Sequence, residues 1–487
     1  MATITVQLQN NSMMAVVCDP GLRAEISEYF SFFVPGYKFM PAFKSRKWDG
    51  KIRLFNSMTC ELHVGLYAKL CKFAADRHYH IKLAHSQYGL PNAKNKVDHQ
   101  KLVSSQATWG MPFAPRDYQY DAITHGIERK RCILLSPTGS GKSFIIYNIM
   151  RWYQETHDKS VLVIVPSTSL VEQMYKDFKD YGYDVEENCH IIYSGKDKNT
   201  KKRVIITTWQ SVYRLGKDWF DAFGCVFGDE CHLFKAKSLT TLMNKCTEAD
   251  YRFGTTGTLD GTQVNKLVLE GLFGPTKRVT YTRDLQDNGT LAELKIDVVL
   301  LDYPKEMKRI NKGRTYQEEI DFLVGFEKRN QFICDLASTQ KGNTLVLFRL
   351  VEKHGKLLYD MIRQKNDKVF YVHGDTDVTD REAIRGIVEK SDDAIIVASL
   401  GTYSTGINIR NLHNIVFAAP TKSQVKVIQS IGRGLRTADN GQMTKLYDIC
   451  DDMVWQGKEN YAVKHAGERI KMYDKEKFDY EIHKVKI

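Results

Sequence analysis

The stretch Arg131-Cys-Ile-Leu-Leu-Ser-Pro-Thr-Gly-Ser-Gly-Lys-Ser143 decides how this chain is read. Its apolar run predicts a buried strand, its small residues a tight loop, and Phe144 to Tyr153 a helix. Backbone N–H groups of such a loop wrap phosphate oxygens, and the helix N-terminus turns its positive dipole end toward them. Thr138, Gly139, Ser140 and Gly141 are then the loop residues at the phosphates. Lys142 is expected at the β and γ phosphates of ATP, and the Ser143 hydroxyl at Mg²⁺. Ser136 stands where the general form of the motif has its first glycine. Taken alone, the loop therefore leaves a plain strand-turn-helix junction open beside a nucleotide site.

Downstream, Cys225-Val-Phe-Gly-Asp-Glu-Cys-His232 reads as a strand ending in two carboxylates, 87 residues beyond Lys142. Asp229 suits Mg²⁺, and Glu230 suits orienting and deprotonating an attacking water. The apolar runs beginning at Val161, Arg203 and Arg252 alternate with helical patterns. That alternation predicts an α/β fold with a mostly parallel sheet and ligands at the strand C-termini. Just upstream of the loop, Pro115-Arg-Asp-Tyr-Gln119 offers Arg116 and Gln119 to a nucleotide. Gln119 with a nearby aromatic suits adenine by amide and stacking, or it is a surface glutamine.

The alternation recurs over 336–455, in runs starting at Thr344, Val369, Ala394, Ile415 and Lys445, without a second phosphate loop. In Gln429-Ser-Ile-Gly-Arg-Gly-Leu-Arg436, the residues Arg433 and Arg436 lie three apart and share a helix face. In a domain with no nucleotide loop of its own, two such guanidiniums suit a γ-phosphate held by the other half. The alternative is a structural pair binding carboxylates such as Asp448 or Asp451.

The chain has 487 residues and a net charge of +12, which predicts about three domains and a polyanionic partner. Residues 1–115 carry 14 Lys/Arg against 7 Asp/Glu, more than half of that charge. There Tyr37 to Phe55 interleaves Lys44, Arg46, Lys47 and other cations with Trp48 and further aromatics, around the turn signal Asp49-Gly50. Such a hairpin suits phosphate contact with base stacking, or is a solvated basic surface with inward aromatics. Ten cysteines without a C-x-x-C pair argue against a zinc site and a disulfide framework. No apolar run is long enough to span a bilayer, and the first residues lack the pattern of a signal peptide. The expected setting is the cytoplasm, and the expected state a monomer.

The order of these motifs resembles a superfamily-two helicase over residues 115–455. The carrying residues are Pro115–Gln119, Ser136–Ser143, Val165–Gln173, Thr207–Gln210, Asp229–His232, Thr256–Thr258, Ser404–Asn408 and Gln429–Arg436. The whole chain is most similar to UvsW-type helicases of tailed phages, through Phe30-Ser-Phe, Tyr37-Lys-Phe, Trp48-Asp-Gly-Lys-Ile-Arg-Leu, Thr315–Ile320 and Lys477-Phe-Asp-Tyr480. The resemblance implies two RecA-like parallel-sheet domains in tandem, preceded by a small α+β N-terminal domain. It implies a DNA-dependent ATPase using ATP and Mg²⁺ to remodel forks, R-loops, D-loops and Holliday junctions. By position it implies DNA contacts at Ser167, Thr168 and Gln210, on duplex or single-stranded DNA. It implies coupling of hydrolysis to motion at Thr256 and Thr258, with His232 bridging the ATP site to them. Gly406 and Asn408 would link nucleotide to DNA, with Gln429 beside the arginine fingers. Thr258 and Asn408 depart from the residues many relatives carry there.

The expected organisation is a basic DNA-binding domain (1–90), a linker (91–114), a first motor domain (115–275), a connection (276–335), a second motor domain (336–455) and a C-terminal extension (456–487). Three rival readings remain. Glu293-Leu-Lys295 with Asp284 and Asp287 sketches a nuclease of restriction-enzyme type. The motor could act as an ATP-gated clamp, or take RNA as its substrate.

Overall fold

The computed structural model describes residues 2–193, 195–259, 263–402, 409, 411–419 and 443–487. They form two compact units: the first comprises residues up to Ser136 and Gly141–Val279, the second Pro137–Ser140 and Thr280–Ile487.

The first unit opens with a four-stranded sheet built from β1 (Thr3–Leu8), β2 (Met13–Val17), β5 (Glu61–His63) and β6 (His80–Leu83), in the order β5-β2-β1-β6. Alternation along β1 turns Ile4, Val6 and Leu8 inward, onto Leu22 and Ile26 of the helix Pro20–Tyr29 and Leu70 and Phe73 of the helix Tyr67–Asp76. The first of these helices stops at Tyr29, and β3 (Ser31–Phe33) pairs antiparallel with β4 (Lys51–Arg53).

Asp49-Gly50 is not the two-residue turn that its sequence suggests. The connection runs from Val34 to Gly50, through a 3₁₀ turn at Tyr37–Phe39 and a short helix at Pro41–Lys44. Pro41 sits at the start of that helix, where its missing N–H costs nothing. The Asp49 carboxylate is drawn into local capping instead, accepting from Lys51 N and pairing with Arg53.

Seven parallel strands follow: β7 (Arg131–Leu135), β8 (Ser160–Val165), β9 (Cys189–Ile192), β10 (Val204–Thr208), β11 (Phe223–Asp229), β12 (Tyr251–Thr256) and β13 (Thr276–Arg278). Their order is β13-β7-β12-β11-β8-β10-β9. The central strands are buried on both faces, which is why they read as continuous apolar runs. Residues 91–114, expected to be a linker, contain the helix His99–Thr108. Its Leu102, with Trp109 just beyond, joins the core of this sheet, and Trp109 Nε1 donates to Glu155 at 2.6 Å. Val97 and Met111 pack against the same core, and these scattered anchors in a polar stretch are hidden in its composition.

The N-terminal sheet is seated on this motor core. The 3₁₀ turn Val64–Leu66 lies on the helix Gln263–Phe273 so closely that a Cβ on Gly65 would fall 2.0 Å from the Glu270 carbonyl oxygen. Arg252 is fully buried beneath the seam. It donates to the carbonyls of Met243 (2.6 Å), Cys246 (2.8 Å), Ala249 (3.2 Å) and Leu272 (3.3 Å), and to the Ser12 hydroxyl (3.3 Å).

The second unit is another seven-stranded parallel sheet. It contains β14 (Leu294–Asp302), β15 (Thr344–Phe348), β16 (Val369–Val372), β17 (Ile395–Ser399), β18 (Asn414–Phe417), β19 (Thr444–Asp452) and β20 (Tyr480–Lys486), in the order β16-β17-β15-β18-β19-β14-β20. The stretch expected to connect the motor halves thus supplies β14, and the C-terminal extension supplies β20 and the helix Tyr461–Lys475. Two ion pairs are buried in this unit: Arg329 with Asp451 at 2.7 Å, and Arg469 with Asp448 at 2.8 Å.

Candidate nucleotide and nucleic-acid sites

Because the first sheet is parallel, the ends of β7, β8, β10, β11 and β12 all open on one edge. Ser136, just past β7, donates its backbone N–H to the Thr256 carbonyl at 2.9 Å, tying the start of the phosphate loop to the end of β12. Gly141 enters the helix Lys142–Thr156 at φ 79°, a left-handed conformation that suits glycine. A Cβ there would come within 2.4 Å of Gln119 Nε2. The Gln119 amide therefore lies against the loop. It is buried, its Oε1 accepts from Arg116 N at 2.9 Å, and the surface-glutamine alternative falls away. Lys142 folds over the loop, its Nζ 3.3 Å from the Ser136 carbonyl oxygen. The Ser143 hydroxyl shares a hydrogen bond with Tyr181 at 2.9 Å.

Asp229 ends β11, is buried, and accepts from the Thr255 hydroxyl at 2.7 Å. Burial first, and then the neighbouring Glu230 charge, push its carboxyl up to about 6, opposed by the cation of Lys142. A buried carboxylate raised in this way is relieved by a cation. That donor set, with the Ser143 hydroxyl and Lys142, fits Mg²⁺ on a triphosphate. Glu230 itself holds φ 49°, a left-handed backbone at a non-glycine residue, which stores strain where the chain leaves the strand.

Three side chains meet at that turn. His232 Nδ1 lies 2.9 Å from Thr256 Oγ1 and 3.2 Å from Glu230 Oε2, and Thr256 Oγ1 lies 3.4 Å from Glu230 Oε2. Thr256 also donates to the Thr258 carbonyl at 2.9 Å. The carboxylate assigned to water is thus joined to the Thr256–Thr258 segment through a histidine and a threonine.

The expected DNA-contact residues of this unit sit on the same edge. Ser167 follows β8 and caps the helix Thr168–Asp180, while Thr168 and Gln210 are exposed at the ends of β8 and β10. In the N-terminal domain Lys44, Arg46 and Lys47 are exposed. With Lys38, Phe43 and the half-buried Trp48 they line an open recess of about 580 Å³. Trp48 is held by its own Nε1, which donates to the Lys51 carbonyl at 2.8 Å, and one side of the ring faces the recess. Of the other aromatics here, Tyr37 stacks on Phe33 and meets Phe43 edge-on, Phe55 is buried in the N-terminal core, and Phe39 is exposed.

Gly406, Asn408, Gln429, Arg433 and Arg436 lie outside the described residues. Their proposed structural partners do not: Asp448 is engaged by Arg469, and Asp451 by Arg329 and the Tyr303 hydroxyl. The nuclease sketch dissolves into structural contacts. Lys295 pairs with Glu481 at 3.0 Å, Asp284 caps its own helix, and Asp287 pairs with Arg283 at 2.9 Å.

Sequence reasoning passed over three residues here. Tyr181 holds the Ser143 hydroxyl, Thr255 holds Asp229, and Phe113 lies 4.8 Å, ring to ring, from Phe144 at the start of the loop's helix. Thr255 stands beside Thr256 at a strand end and Phe113 is an aromatic just upstream of Gln119, so both carried a local signal; Tyr181 had none.

Residues 3–84 match the family "DNA helicase UvsW, N-terminal", residues 112–261 "Type III restriction enzyme, res subunit", and residues 328–438 "Helicase conserved C-terminal domain". A fragment of a putative HsdR subunit of a type I restriction enzyme from Vibrio vulnificus superposes with a TM-score of 0.59 over 80% of this chain and 72% of its own. At 17% identity it shares the fold alone. The crystal structure of T4 UvsW superposes with a TM-score of 0.54 over 99% of both chains, at 32% identity. The ATP-dependent DNA helicase uvsW of Enterobacteria phage T4 is 34% identical over 98% of each chain. Among the described residues no helix is long and apolar enough to cross a membrane. With that identity sustained along nearly its whole length, and its N-terminal residues matching as well, the chain belongs to the UvsW family of helicases.

Proposed function

We propose that this chain is an ATP-dependent DNA helicase or translocase that remodels branched DNA, acting in the cytoplasm of an infected cell. The observation that carries the reading is the cluster Glu230–His232–Thr256 beside Asp229 and Lys142, where five parallel strands end. These side chains meet on one edge of the sheet, which supports reading Glu230 as the base for water, Asp229 as the metal carboxylate and His232 as the link to the next motif.

In this reading the loop N–H groups and Lys142 bind the phosphates, and Ser143 and Asp229 hold Mg²⁺. Bound Mg²⁺ supplies neutralisation of charge on the β and γ phosphate oxygens. Gln119 reads the adenine edge, with the exposed ring of Phe113 at hand for stacking. Glu230 orients the attacking water and takes its proton. His232 and Thr256 pass the state of that carboxylate to Thr258. Arg433 and Arg436 act as fingers for the transferred phosphate. The reading is supported by the engagement of Asp448 and Asp451 with other arginines, which removes the structural partners considered for this pair. Ser167, Thr168 and Gln210 contact the strand backbone. The basic recess around Trp48 provides the second contact that a branch requires and a simple translocase does not.

The test compares ATP turnover with forked DNA, duplex, single strand and RNA at equal nucleotide concentration. Strongest stimulation by the fork is expected. Equal stimulation by RNA and fork, or none by any nucleic acid, overturns the reading.

A further inference from the structure

At the start of β7, at the other end of that strand from the phosphate loop, the first unit encloses a recess of about 320 Å³. Three parts of the chain wall it: the Val64–Ala68 turn of the N-terminal domain, the segment Pro91–Lys94, and the motor's helix Asp117–Arg129 with the starts of β7 and β13. Its lining combines Tyr67, Pro91 and Pro275 with the basic side chains Lys94, His125, Arg129, Arg131 and Lys277, and among the described residues no carboxylate lines it.

The positive charge there is only partly answered. Lys277 pairs with Asp121 at 2.9 Å and Lys94 leans on Glu128 at 3.6 Å. Arg129 has no ion-pair or hydrogen-bond partner among the described residues. Arg131 donates one Nη to the Asn11 carbonyl, and its other Nη is buried without a partner. Burial, followed by the neighbouring Arg252, pushes the Arg131 guanidinium down to about 9. Burial and the cations of Lys277 and Arg129 hold His125 below its ordinary range, against the pull of Asp121 and Glu128. A buried guanidinium nitrogen without a partner, on Arg131, is costly, and an anion bound between it and the exposed Arg129 relieves the cost. The volume is that of a small-ligand site. β7 separates it from the phosphate loop by roughly 15 Å at the rise of a strand, so it is a different place from the ATP site.

We propose that this recess binds an organic phosphate of mononucleotide size, the phosphate meeting the cations Arg129, Arg131 and Lys277 and the flat body meeting Tyr67 and the prolines. An occupant there touches the N-terminal domain and the motor at once and braces the seam between them. The proposal does not depend on the helicase reading.

The test is calorimetric titration of the full chain with dAMP, deoxyadenosine and inorganic phosphate, with the ATP site first saturated by a non-hydrolysable ATP analogue and Mg²⁺. One dAMP site per chain is expected, at least tenfold tighter than for either deoxyadenosine or inorganic phosphate. Arg129→Ala with Lys277→Ala should weaken it at least tenfold and leave ATP turnover with saturating DNA near that of the parent. Arg129 is exposed and unpartnered, so Arg129→Ala alone keeps the test open should the double variant fold poorly; a drop of about threefold is expected from it. No dAMP binding, equal binding of deoxyadenosine or inorganic phosphate, or binding indifferent to these substitutions overturns the proposal.

Discussion

The two parallel sheets handle buried charge in opposite ways. In the second, arginines and aspartates neutralise each other in the interior: Arg329 with Asp451, Arg469 with Asp448, all four side chains essentially inaccessible. In the first, the buried Arg252 donates to carbonyls and a hydroxyl, Asp229 accepts from the Thr255 hydroxyl, and Glu230 lies beside His232. Charge that holds architecture is paired and hidden. At the edge of the first sheet the buried Asp229 is held by a neutral hydroxyl within reach of the Lys142 charge.

The hardest blow to that comparison falls at the loop. Lys142→Ala is expected to cut ATP turnover by about a thousandfold or more, because it removes the cation facing the phosphates. DNA binding should largely survive, since the basic N-terminal recess is untouched. Near-normal turnover in a steady-state assay would falsify the assignment of the loop.

Next comes the paired interior of the second sheet. Arg329→Met leaves Asp451 buried with only the Tyr303 hydroxyl, and about 3–5 kcal/mol of stability should be lost. Arg252→Met in the first sheet leaves neutral acceptors and no orphan charge, and should cost about 1–3 kcal/mol. Chemical denaturation of the two variants beside the parent checks the order, and a reversed order removes the distinction drawn between the sheets.

At the sheet edge, Glu230→Gln should bind nucleotide normally and turn it over about a hundredfold more slowly. His232→Ala is expected to uncouple rather than abolish turnover, because the base remains but its link to Thr256 is gone. ATP hydrolysis and fork unwinding measured together separate the two effects, and equal loss of both in His232→Ala would show that the histidine serves chemistry alone.

The smallest effect lies in the N-terminal recess. Trp48→Ala should cost about 1–3 kcal/mol of fork affinity if its open face stacks on a base. Replacing Lys44, Arg46 and Lys47 together by Ala should lower the salt slope of binding by about 0.7–0.9 for each phosphate that these cations neutralise. Unchanged fork preference and salt slope across a titration assign the recess to an ordinary solvated surface.

Much of this was legible in one dimension. The phosphate loop, the Asp229-Glu230 strand end and the alternation of apolar runs with helices are local patterns, because a phosphate cradle and a doubly covered strand each need their residues contiguous. Asp49-Gly50 misled for the same reason: a local turn signal yielded to a longer excursion that Pro41 nucleates and Asp49 caps. Residues 91–114 misled by composition, since their anchors, Leu102 and Trp109 with Val97 and Met111 beside them, are scattered through a polar stretch.

The sequence by itself determined the fold class, the small-residue loop between β7 and its helix, and which carboxylates stand at the strand end. Tertiary structure alone decided which charges are spent on architecture. Asp451 finds Arg329 and Asp448 finds Arg469 across strands and helices that no spacing rule connects. It also decided that Gly65 lets the N-terminal domain rest on the motor, and that Arg252 is buried beneath their seam. Motifs bind ligands through neighbours in the chain, whereas buried ion pairs and domain seams join residues whose proximity exists only once the sheets have formed.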